Sequence, residues 1–169
     1  MSNVLIGIIG VILFIGLALA GALYLGPQFQ NATSSSRASS TISTLSQLSS
    51  AINAKIIQSD EDVLAGSSMD SLIASGHIKA DPTNPTGGDP AAIYGPNGET
   101  ASVEAGMVAM RLNENAEAVC SAIAKQTSKD LITANNAAQL PAIKAGCFHT
   151  GPTSINSFAG DSYYAFSRI

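Results

Sequence analysis

Residues able to do chemistry are few, and their spacing is wrong for most of it. Cysteine occurs twice, as Cys120 and Cys147, and histidine twice, as His77 and His149. No pair among them has the CxxC or HxxxH spacing that zinc sites use, so no metal and no cofactor is expected. GxSxG, GxxxxGK[ST] and HExxH are all absent from the sequence, and no catalytic residue is assigned. Glu114 and Glu117 are three apart, a spacing that could serve an acid/base pair. At the start of a helix, however, the macrodipole already accounts for two carboxylates. Asp60-Glu61-Asp62 lacks the alternating ligands, central Gly and closing Glu of a calcium loop, and reads as a solvated acidic turn. Both histidines lie beside glycine and read as exposed loop or cap residues. The two cysteines allow one disulfide if the chain's C-terminal part reaches an oxidising compartment; otherwise Cys120 is a buried thiol on a helix face.

The elements that must carry these residues follow from patterning. Of 169 residues, 46% are hydrophobic and only 12% are charged, with a net charge of −4 and no basic cluster. That balance excludes a disordered chain and gives nucleic acid nothing to bind. From Val4 to Leu25 no side chain is charged, and the first charge in the chain is Arg37. As a helix this stretch spans about 34 Å, enough for a bilayer core of about 30 Å. A secretory signal peptide needs a basic start and a shorter apolar stretch, whereas Met1-Ser2-Asn3 carries no cation. Gly7, Gly10, Gly16 and Gly21, with Ala18, Ala20 and Ala22, are the small residues that let apolar helices approach closely.

Gly26-Pro27 is expected to break or bend the helix, because Pro27 lacks an N–H and clashes with the preceding turn. Beyond it, Ile42, Leu45, Leu48, Ile52 and Ile56 recur at steps of three and four. They form one apolar stripe on an amphipathic helix that should dock on a globular head. The expected organisation is therefore an apolar helix over 1–26, an amphipathic helix over 27–59 and a head over 60–169. Within the head, Ser68 caps a short helix bearing Met69, Leu72 and Ile73, and Gly76 stops it. The proline-rich 81–90 stretch is irregular, and Pro96-Asn97-Gly98 turns a strand over 91–94 back on itself. Residues 107–112 alternate as a half-buried strand, a helix follows with Glu114 and Glu117 in its first turn, and 162–169 forms a last strand. The head is expected to be α+β with a small antiparallel sheet.

This layout, with three particular stretches, resembles the bacterial type IVb pilins, the PilS-like family. Leu72-Ile73-Ala74-Ser75-Gly76-His77-Ile78-Lys79-Ala80-Asp81 is similar to the short helix and turn of that family's head. Asn84-Pro85-Thr86-Gly87-Gly88 resembles the turn before its sheet. The strand and helix over 108–124, with Cys120 partnered by Cys147 ahead of a final strand, resemble its disulfide-closed region over 120–147. The resemblance implies a structural subunit, not an enzyme. Such a subunit is held in the inner membrane by its N-terminal helix and then polymerised with copies of itself into an extracellular filament for adhesion, conjugation or surface contact. It implies a prepilin peptidase that removes a short basic leader before Met1, and a motor-driven assembly machinery. The filament core would hold Met1, Leu5, Gly7, Gly10, Phe14, Gly16 and Gly21. In the family the fifth mature residue is usually glutamate, paired with a neighbour's terminal amine; here it is Leu5. The amine of Met1 is therefore expected to meet neutral acceptors such as Ser2, Asn3 or backbone carbonyls, or to reach water. The alternatives are a minor pilin or pseudopilin, and a monomeric membrane-anchored periplasmic binding module.

Overall fold

The computed structural model describes residues 2–59, 63, 66–100, 105–127, 130–140 and 142–169, and the side chains of 2–5, 25, 27 and 59 lie outside that description. Two units result, Met1–Thr33 and Ser34–Ile169. Helix α1, Ser2–Ser59, enters both. It runs on through Gly26 and Pro27, so of the break or bend expected there the break does not occur. Proline forbids one hydrogen bond and opposes one carbonyl, but its own φ is helical, and the bonds on either side carry the helix through.

In the second unit the serine-rich part of α1 turns hydroxyls onto its own backbone. Ser39 Oγ donates to Ser35 O at 3.1 Å and Ser50 Oγ to Ser46 O at 2.9 Å, which satisfies these groups at a small cost to the helix, so the packing of the apolar stripe has to hold it. The stripe faces inward: Leu45, Leu48 and Ile52 are buried, and Ile42 and Ile56 pack at the margin of the same cluster.

The rest of this unit is α2 (Asp70–Ala74), β1 (Ala92–Tyr94), β2 (Met107–Leu112), α3 (Ala116–Gln126), β3 (Ile132–Ala134), β4 (Ala145–Thr150) and β5 (Tyr163–Arg168). One turn of 3₁₀ helix, Ala137–Gln139, follows β3. Ser68 Oγ accepts from the N–H of Asp70 at 3.1 Å at the start of α2. At its end Gly76, with φ of +77°, closes a Schellman motif: His77 N donates to Leu72 O and Gly76 N to Ile73 O, both at 2.9 Å.

The sheet runs β1-β2-β5-β4-β3. Three pairings are antiparallel, but β3 lies parallel to β4 with Ile132 opposite Phe148. The expected antiparallel sheet is thus corrected to a mixed one, because α3 precedes β3 and returns the chain from the opposite direction. The expected half-buried 107–112 strand is also corrected, since β2 is buried on both faces. Val108, Met110 and Leu112 face the core that holds the α1 stripe, Val119, Cys120 and Ile123. Met107 and Ala109 face a second core of Phe148, Phe158, Tyr164 and Phe166, covered by Leu140 and Ile155. That second layer is aromatic: Phe148 and Phe158 meet edge to face at 5.2 Å, and Phe158 lies 4.7 Å from Tyr164.

Candidate functional site

Two regions qualify, and they differ in kind. In the first unit, the large apolar side chains described between Ile6 and Phe29 are exposed, Phe14 at 74% and Leu23 at 79%. A Cβ added at Gly7, Gly10, Gly16 or Gly21 would meet nothing within 4 Å, so these glycines serve no packing among the described residues of their own unit. The helix is long and apolar enough to cross a membrane. Met1 lies outside the described residues, as does the side chain of Leu5, and so does the Asp60-Glu61-Asp62 turn. What the described residues of the first unit offer is apolar surface on all sides, of the kind a membrane anchor or a signal sequence presents.

The second unit holds the titratable groups. Ser75 Oγ and His77 Nδ1 are 2.8 Å apart, the distance of a nucleophile and its base. Ser75 has one hydroxyl hydrogen, for which the carbonyl oxygens of Ser71 at 2.8 Å and Leu72 at 3.2 Å compete with Nδ1 of His77. Which partner donates in the serine–histidine contact is set by the ring tautomer, and Nε2 of His77 is buried with no hydrogen-bond partner among the described residues. His77 lies along a groove of about 490 Å³ between Thr44, Gln47 and Leu48 of α1 and the 77–83 segment.

His149 Nε2 is 3.2 Å from Asp161 Oδ1, and its ring packs 4.4 Å from that of Tyr163. Both histidines are half-buried and engaged, which corrects their reading as exposed residues. The phenol of Tyr163 is pushed above the usual tyrosine range, first by desolvation and then by the carboxylates of Glu117 and Asp161. Burial does the same to Tyr94, helped by Tyr164 and Asp89.

Glu114 does not enter the first turn of α3, a second correction. Asn115 takes the N-cap position in the left-handed region, with φ of 51°, and turns Glu114 outside the helix. There it meets Arg37 Nη2 at 2.6 Å. No group of three His, Cys, Asp or Glu capable of holding a metal occurs among the described residues.

Cys120 and Cys147 are bonded, tying α3 to β4. Spacing arguments miss the polar lock beside this region. Asn84 Nδ2 donates to Asp89 O at 2.9 Å and Arg111 O at 2.8 Å, while its Oδ1 accepts from the N–H and hydroxyl of Thr86. Thr86 Oγ1 in turn accepts from Asn113 N at 3.2 Å. One side chain thereby pins the proline-rich loop to the end of β2. The Asn-Pro dipeptide announced a turn, but its partner Arg111 is 27 residues away and invisible to local pattern. In comparison with known proteins, the chain matches no family model, no curated protein and no solved structure.

Proposed function

We propose that the chain is a filament subunit of the type IV pilin kind, stored in a membrane by the first half of α1 and polymerised through that same half. The observation that carries this reading is the exposed apolar helix with vacant glycines, attached in sequence to a disulfide-stapled head. In lipid, such a helix satisfies its own backbone, so storage needs no partner. Leaving lipid, it must bury its apolar surface against copies of itself. At roughly 25 cal/mol per Å², several hundred Å² of new contact contribute on the order of 10 kcal/mol per subunit. A contact that does not close on itself propagates as a helical polymer. Extraction from the membrane needs an external energy source, and maturation of the N-terminus a peptidase; both belong to the proposal as partners, with the inner membrane and then the cell surface as its locations.

The test is negative-stain microscopy of material sheared from cells that produce the chain, with the polypeptide identified by mass spectrometry. Filaments of this polypeptide are expected. Extractable monomer with no filament would instead favour a membrane-anchored binding module.

A further inference from the structure

The sulfurs of the Cys120–Cys147 bond belong to residues exposed by 0% and 3%. They lie in the same buried cluster as Leu45, Leu48 and Ile52 of α1. Polar contacts fasten that helix at three places. Arg37 reaches Glu114 just before α3 begins, at 2.6 Å. Gln126 Nε2, at the last residue of α3, donates to Ser39 Oγ at 3.0 Å and Ser35 O at 3.3 Å. Ser49 Oγ donates to Arg168 O at 2.8 Å at the end of β5. The first two contacts straddle Cys120 in the sequence. Exchange at a disulfide requires a thiolate to approach one sulfur and displace the other, and the closed unit leaves no room for that approach.

We infer that residues 34–59 of α1 act as the gate of this disulfide: the bond forms before they dock and is broken only when they lift. Formation then belongs to an open intermediate. One cysteine thiolate attacks the disulfide of an oxidised dithiol catalyst, giving a mixed disulfide and one catalyst thiolate. The second cysteine thiolate displaces the other catalyst sulfur. The two cysteines lose two electrons and two protons, and the catalyst ends as a dithiol. Docking of α1 follows and takes the product out of reach of further exchange.

The experiment follows reduction of the full chain in detergent micelles by dithiothreitol, with alkylation and mass spectrometry reading free thiols over time. Opening free energies of buried elements predict reduction at least about a hundredfold slower in the native chain than in the same chain unfolded in urea. Replacing both side-chain fasteners, Arg37→Ala with Gln126→Ala, should speed native reduction by roughly twofold to tenfold and leave the urea rate unchanged. If that pair does not fold, Ser49→Ala alone serves, with a smaller acceleration of the same sign. Native and unfolded rates within about threefold of each other would overturn the sealing. A fastener variant that folds and is reduced at the parent's rate would overturn the role of α1 as gate.

Discussion

Residues 6–29 and 34–56 belong to one helix and solve opposite problems. The first stretch turns large apolar side chains outward in every direction, while the second gathers a few into one stripe and gives the remainder of its surface to serine. Glycine shows the difference most sharply. At Gly10 a side chain would meet empty space, whereas at Gly98, with φ of +83°, it would strike the ring of Phe158. At Gly98 the head's own packing requires glycine. At Gly10 nothing among the described residues requires it, and a constraint there would have to come from a neighbour.

The contrast can be broken by substitution. Removing the staple with Cys120→Ser should cost the head about 2 to 5 kcal/mol in chemical unfolding, and no change is expected in helicity over the first unit. Gly98→Ala should cost roughly 2 to 4 kcal/mol from backbone strain and overpacking together. Gly10→Ala should leave head unfolding unchanged and favour the isolated helix by about 0.5 to 1 kcal/mol, while lowering filament yield. A filament yield unaffected by Gly10→Ala would remove the argument that a neighbouring helix needs that space.

Two smaller effects sharpen the picture of the head. Thr41 is fully buried and its hydroxyl has no partner among the described residues, so Thr41→Val should raise stability by about 1 kcal/mol in a denaturant titration. The phenol of Tyr94 is held above its ordinary range by burial, then Tyr164 and Asp89. A raised folded pKa means that the unfolded chain releases this proton first. The associated stability is present at neutral pH and is lost as pH rises past about 10. Tyr94→Phe should therefore flatten the alkaline fall in melting temperature relative to the parent.

Legibility followed the range of the interactions. The α1 stripe could be read because helix periodicity is local: Leu45, Leu48 and Ile52 identify the face they bury without reference to the head. The Gly76 stop and the Pro96-Asn97-Gly98 turn are local in the same way. Strands β3 and β4 were not legible. Ile132–Ala134 is too short to show a period, and Ala145–Thr150 is buried on both faces, so its hydrophobic residues do not alternate. The parallel pairing of these strands, the aromatic second core and the Asn84 lock all depend on residues distant in sequence. Pro27 does not interrupt α1 for a further reason: the rule counts one lost hydrogen bond and ignores the neighbours that remain.

The position of β5 has a consequence for biogenesis. Tyr163–Arg168 pairs with β2 on one side and β4 on the other, so the middle of the sheet is completed by a strand that follows both of its neighbours in sequence. A chain that emerges from a ribosome or translocation channel with its N-terminus first cannot close either core until residue 168 is out. Until then β2 and β4 present open edges and the aromatic face lacks Tyr164 and Phe166. The head is thus unfinished for as long as β5 is missing, and a stalled or clipped chain lacking these few residues would be recognisable to proteases by the sheet it cannot complete.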